Sequence, residues 1–191
     1  MRRTSEYILF HGGIFSNWAM TPFDGRTAYA QMRRLLDQIG IAGQPDDAEI
    51  TSRLRGRRYA NGEQWMMAAK AWLMGDLATL KLILTTTNPM DVKKLGREVK
   101  PFDERLWKRA CEALVTAGCV AKFTDTERMR REILDTGELT MVEASKVDRL
   151  WGIGIDWRDP DAEDPSKWRG KNLLGKCLMA ARAIISASNT R

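Results

Sequence analysis

Two hydrophobic periods alternate along this chain of 191 residues. The stretch "EYILFHGG" (6–13) reads as a short strand running into a Gly12-Gly13 turn. "IFSNWAMTPF" follows as a loop punctuated by Pro22 and Gly25. The spacing then turns helical. "TAYAQMRRLLDQIG" (27–40) stops at Gly40, and "PDDAEITSRLRG" (45–56) has an acidic first turn and Gly56 at its end. "NGEQWMMAAKAWLMGD" (61–76) has Asn61 placed to cap it, and it sets Glu63, Met66, Met67 and Lys70 on one face. Helical patterns continue over 77–86, over 88–99 with Pro89 at the start, over 102–123, and over 125–137 with Gly137 as the stop. "ELTMVEAS" (138–145) predicts a second strand, and "KVDRLW" (146–151) a helical turn that "GIG" breaks. Residues 156–168 read as an acidic, Pro-rich loop and 170–188 as a terminal helix. The expectation is a mainly α chain, α+β in class, with a small β element of two or three strands, forming one domain over 1–191.

Composition narrows the chemistry. Hydrophobic residues at 43% and charged residues at 29% indicate a packed core rather than disorder. No apolar run reaches the roughly 18 residues of a membrane span, and the first residues are too short an apolar stretch for a signal peptide, so a cytoplasmic location is expected. Cys111, Cys119 and Cys177 are odd in number and widely spaced, which argues for small buried hydrophobes rather than disulfides or a zinc site. His11 is the one histidine and reads as a loop or strand-end residue. Any catalysis therefore falls to carboxylates, lysines and tryptophans, with no metal and no cofactor expected. The net charge of +6, with its densest cluster in "RLRGRRY" (53–59), favours an anionic partner. No dinucleotide-binding glycine pattern, phosphate-loop motif or nucleophile elbow is present.

Taken singly, the notable residues have structural readings. Glu63 is a favourable first-turn acid, Lys70 a solvated lysine, Asp148 a cap or ion-pair partner, and Trp107 and Trp151 core aromatics. Trp65 and Trp72 belong to the core, and Trp168 and Asn172 organise the last helix. Glu143 either orients a lysine of a site or closes an ion pair.

Five stretches in register change the weight of some of these. "FSNW…PF" (15–23), "EQWMMAAKA" (63–71), "KKLGR" (93–97), "VEASKVDRLWGIG" (142–154) and "WRGKNLLGKCLMAAR" (168–182) together resemble the NADAR (YbiA-like) family of N-glycosidases. Trp107 and the "KF" at 122–123 fall at similar spacing. Two departures stand out. About thirty residues, roughly 26–57, intervene where family members pass directly to the Glu-containing helix. Cys111, with Arg109 nearby, stands where the family has an arginine.

The resemblance implies cleavage of an N-glycosidic bond to ribose. Family members act on phosphoribosylamino-pyrimidines of riboflavin synthesis or remove ADP-ribose from guanine bases. It places Glu63, Asp148, Trp107 and Trp151 in the site, with Lys70 close by. These residue types suit the reaction, because breaking a ribosyl C–N bond builds positive charge on the sugar. One carboxylate can stabilise that charge and another can protonate the base, and Glu63 and Asp148 are the pair to divide those roles. Lys70, if its pKa is lowered by burial, is a candidate nucleophile. Trp107 and Trp151 suit stacking on a flat base, Lys93 and Arg97 suit phosphate, and Asn17 and Ser16 suit ribose hydroxyls. The expected partner is a ribosylated base or an ADP-ribose-containing molecule, with nucleic acid as a possible carrier and no membrane. Asp148 and Trp151, three apart, would share one face of the helical turn, with Gly152 and Gly154 allowing the tight backbone. A non-catalytic module binding ADP-ribose or another NAD-derived nucleotide would use the same aromatic and basic residues, and a plain helical interaction protein would need none of them.

Overall fold

A computed structural model describes residues 1–41 and 47–188. It holds eight α-helices and five short strands among those residues. Three strands, β1 (Arg2–Arg3), β2 (Tyr7–Phe10) and β5 (Thr140–Glu143), form one sheet in the order β1-β2-β5. β1 is antiparallel to β2 and β5 is parallel to it, with Leu9 opposite Val142 and Phe10 opposite Glu143. A second ladder joins β3 (Phe23–Asp24) to β4 (Arg58–Tyr59). The mainly helical class with a small sheet is as expected, whereas β1, β3 and β4 are too short to leave a period in the sequence.

The helices sit where their caps place them. α1 (Gly25–Gln38) starts at Asp24, and α2 (Ala48–Arg55) starts at Asp47, whose carboxylate accepts from the N–H groups of Glu49 and Ile50. The first two residues of the expected helix 45–56 lie outside the described residues. α3 (Gly62–Leu73) is capped by Asn61 and α4 (Leu77–Leu84) by Asp76. α5 (Pro89–Arg97) is capped by Asn88. α6 (Glu104–Thr124) is the long central helix, followed by α7 (Glu127–Leu134) and α8 (Leu173–Ala187). Each side-chain cap satisfies N–H groups that the first turn cannot pair, at about 1 kcal/mol apiece. The acidic segment before α8 contains two short 3₁₀ turns, at Pro160–Glu163 and Pro165–Lys167.

α6 packs against α1, α3 and α8, and α8 lies on β5. The two helices of the 26–57 segment are thus part of the main core, closed at their base by the β3–β4 ladder. Trp65 and Trp72 are fully buried as expected, their indole N–H groups donating to the Leu114 carbonyl (2.8 Å) and the Thr51 hydroxyl (3.0 Å). The three cysteines are free and buried. Among the described residues no helix is long and apolar enough to cross a membrane.

The sheet has two apolar faces. Ile8, Phe10 and Met141 face the main core, while Leu9 and Val142 face a smaller cluster with Ile153, Ile155 and Ala162. By strand alternation Glu143 shares the side of Met141, so an acid occupies a core-facing position at the end of β5.

Candidate active site

The ends of β2 and β5 open into a cavity of about 320 Å³. Loop 11–18 forms one wall and supplies His11, Ser16, Asn17 and Trp18. The segment after β5 forms another, with Glu143, Ser145, Asp148 and Trp151, while Lys93 enters from α5 and Leu174 from α8. The volume falls within the roughly 300–1,000 Å³ of small-molecule sites. Its mouth is accessible: Trp18 is 42% exposed and Val147 87%.

Residues 146–151 form no helix; the expected helical turn is replaced by a turn built on a side chain. Asp148 Oδ1 accepts from the backbone N–H groups of Leu150 (2.9 Å) and Trp151 (2.8 Å). Aspartate competes with the backbone in this way, and the bond does what a helical i,i+3 relation would have done. Asp148 and Trp151 reach the same cavity without a helix. Glycine closes the loop. A Cβ on Gly152 would lie 2.8 Å from the Glu143 carbonyl oxygen, and Gly154 has φ +71°.

Glu63 adjoins the cavity through its wall. Its N–H donates to the Asn17 carbonyl (2.9 Å), it is 3% exposed, and its Oε1 has no hydrogen-bond partner among the described residues. A first-turn acid normally sits in water with a low pKa. Burial instead raises this carboxyl to about 7; Lys93, the Trp18 indole and Arg97 pull it down, and the negative charge of Asp148 pushes it up. Those same influences tie Glu63 electrostatically to residues of the cavity.

Glu143 is a second buried acid. Its Oε1 lies 3.2 Å from His11 Nδ1, and its Oε2 is buried without a partner among the described residues. Burial raises its pKa, with His11 opposing and Asp148 adding to the rise. Among the described residues no group of three or more His, Cys, Asp or Glu side chains is arranged to hold a metal ion.

The sequence model of the NADAR domain matches residues 9–186. The chain belongs to the NADAR domain family. An N-glycosidase of Acanthamoeba polyphaga mimivirus is 33% identical over 94% of this chain and 96% of its own length. Protein irg-1 of Caenorhabditis elegans is 32% identical over 94% of this chain and 80% of its own length. N-glycosidase YbiA of Escherichia coli is 25% identical over 66% of this chain and 71% of its own length. The NMR structure of Escherichia coli YbiA superposes with a TM-score of 0.67, covering all of this chain and 90% of that one at 22% identity, and so shares the fold.

Within this NADAR chain the anticipated residues divide into two groups. Asp148, Trp151, Ser16, Asn17 and Lys93 line the cavity, and Glu63 adjoins it with Arg97 in electrostatic range. Lys70 and Trp107 do not line it. Seven residues of helix put about 10 Å of axial rise between Glu63 and Lys70. Lys70 Nζ donates to the Gly96 carbonyl (2.7 Å) and lies over the rings of Phe102 (4.4 Å) and Trp107 (5.7 Å). Its pKa is lowered by burial, as a nucleophile would need, but the amine is turned toward α5 and those rings. The basic cluster 53–58 also lies off the cavity lining: Arg53 pairs with Glu49 (2.9 Å) and Arg58 with Asp125 (2.6 Å).

Four further residues lie near the cavity: Glu143, read from the sequence only as orienting a lysine or closing an ion pair, and His11, Trp18 and Lys122, which were not singled out for it. Glu143 and His11 sit 132 positions apart and meet only because β5 pairs with β2. A glutamate in phase with core-facing Met141 was the signal available. Trp18 presents an indole in the lining, with Lys93 Nζ 5.8 Å from its ring. Lys122 lies behind loop 11–18: it is 3% exposed, donates to the Ser16 carbonyl (3.0 Å), and has its pKa lowered to about 8 by burial.

Proposed function

We propose that this chain removes ADP-ribose from a modified guanine base, with the base and ribose seated between Trp18, Trp151 and the acids of the cavity. Hydrolysis of an N-glycosyl compound is the coarser statement, and it rests on family membership and on relatives of that activity matched over most of their length. The finer reading is carried by one arrangement: three carboxyl groups and two indoles gathered around a cavity whose mouth is open.

The chemistry follows from that arrangement. Indole faces stack on a flat base at about 1–3 kcal/mol each. As the C–N bond lengthens, positive charge grows on the ribose, and fixed carboxylates stabilise it in a site shielded from bulk water. Asp148 is held by its own turn, so it needs little rearrangement when that charge appears. Glu63 adds negative potential from the wall whenever it is ionised. Lys93 and Arg97, one turn apart on α5, suit the diphosphate that leads away from the ribose. An open mouth allows a leaving base that is part of a larger molecule.

The test is direct. The protein is incubated with an oligonucleotide carrying ADP-ribosylated guanine and, separately, with a phosphoribosylamino-pyrimidine, and the products are separated by chromatography. Release of ADP-ribose from the oligonucleotide, lost in Asp148→Asn with binding retained, supports the reading. Turnover of the pyrimidine alone would move the substrate to riboflavin chemistry. Tight binding of ADP-ribose with no turnover of either would make the chain a binding module.

A further inference from the structure

We propose that Glu143, coupled to His11, is the acid that protonates the departing base. The proposal rests on the glycosidase reading above and gives Glu143, there one of three carboxyl groups at the cavity, a catalytic role of its own.

The geometry has four parts. First, both side chains line the cavity that Asp148 and Trp151 line. Second, the Glu143 side chain is only 9% exposed, yet its Oε2 has no hydrogen-bond partner among the described residues. A buried polar atom without a partner is costly, so its presence on a residue that lines a ligand cavity marks a group kept for the ligand. Third, the residue is fixed. Its N–H donates to Asn172 Oδ1 (3.0 Å), and its carbonyl accepts from Ile153 N–H (3.0 Å). The Asn172 amide also donates to the Met141 carbonyl (2.9 Å), clamping the end of β5 to the start of α8. Fourth, the other carboxyl oxygen touches the one histidine of the chain, whose side chain is 57% exposed. His11 therefore links a buried acid to bulk water.

The other groups facing Glu143 come from every wall. Asp148 lies on the following loop and Lys93 on α5, with Glu63 of α3 beyond; α8 contributes Leu174 to the lining and the Asn172 amide to the backbone, both uncharged. Burial and the negative charge of Asp148 favour the protonated carboxyl, and His11 opposes it. The Glu143 carboxyl proton moves to the base nitrogen while the C–N electron pair leaves with the base. Water adds its oxygen to the ribosyl carbon and passes a proton to the Asp148 carboxylate. Exchange with solvent, through His11 on the Glu143 side, resets both acids.

The experiment measures kcat/KM against pH, with the ADP-ribosylated guanine oligonucleotide and the phosphoribosylamino-pyrimidine as probes. It uses the full chain and its Glu143→Gln and His11→Gln variants, each checked for folding by circular dichroism. A general acid contributes about 10²–10⁴-fold, so Glu143→Gln is expected to lose at least about 100-fold in kcat, with KM little changed. The alkaline limb of the wild-type profile should disappear with it. His11→Gln, an exposed and milder change, should move that limb to higher pH, because His11 lowers the pKa of Glu143. A merely structural ion pair would leave the limb in place. Glu143→Gln turning over within a few-fold of wild type, or a limb unmoved in both variants, overturns the assignment while the glycosidase reading stands. Wild-type protein that cleaves neither probe overturns both. If Glu143→Gln fails to fold, His11→Gln decides alone by whether its limb moves.

Discussion

Glu63 shows what one residue can reveal and conceal. Its position at the start of α3 was plain from the Asn61 cap, but a buried first-turn acid and a solvated one look identical in sequence. Burial separates them, and burial depends on loop 11–18 folding over the helix start, where Gly62 lies against Asn17. The same limit applies to the lysines. Lys70 follows Glu63 by a heptad and looked like its partner, yet Lys93 from another helix lines the cavity. Two outcomes follow. Lys70→Met should keep kcat within a few-fold of wild type while costing about 1 kcal/mol of stability through its lost bond to the Gly96 carbonyl, read by activity assay and urea unfolding. Trp151→Leu should instead raise KM by about tenfold or more with a smaller change in kcat, since stacking on a base is worth about 1–3 kcal/mol. Equal loss of kcat in both variants would contradict this division of the residues.

At the scale of elements, caps and periods located the eight helices among the described residues: each cap of α1 to α7 is a local bargain between a side chain and the N–H groups beside it, whereas α8 has no such cap and is legible from its period alone. The same rule explains the miss at 146–151. Aspartate bonding to N–H groups two and three residues ahead is also how a helix begins, so the pattern alone does not separate a cap from a free-standing turn. What stops a helix here is the approach of the chain to β5. Ile153 N–H pairs with the Glu143 carbonyl, and Gly152 fits against that same carbonyl. Gly152→Ala should therefore force backbone apart from backbone. The expected cost is about 1–3 kcal/mol, with a fall in activity larger than the lost folded fraction, because Glu143, Asp148 and Trp151 all hang from the displaced segment. Denaturation midpoints compared with the specific activity of folded protein will test this. The strands β1, β3 and β4 were illegible for a different reason: two residues carry no period, and only a distant partner makes them a ladder.

Across the whole molecule, the buried titratable groups tie stability to pH. Glu63 has its pKa raised from 4.5 to about 7 in the folded chain, so folding binds its proton more tightly. That contribution is complete below the unfolded value and is lost as pH rises toward 7. Glu143 is shifted in the same direction. Lys122 is lowered from 10.5 to about 8, so its contribution is present above 10.5 and is lost as pH falls through 8. Between pH 7 and about 5 the lysine is nearly constant and the two acids dominate, so the chain should become more stable as pH falls across that window. Replacing Glu63 with glutamine removes a charge that is buried at pH 8 and keeps the shape of the side chain. Glu63→Gln should then raise the Tm at pH 8, by an amount corresponding to about 1–3 kcal/mol, and flatten the slope down to pH 5. The same substitution should depress turnover by about 10²-fold or more if the carboxylate stabilises the ribosyl cation. Thermal melts at pH 5, 6, 7 and 8 beside activity at each pH provide the comparison. A variant that is both more stable and fully active would show that the acid is buried for no catalytic reason, whereas one more stable and nearly inactive would show that this fold tolerates unfavourable charge because the reaction requires it.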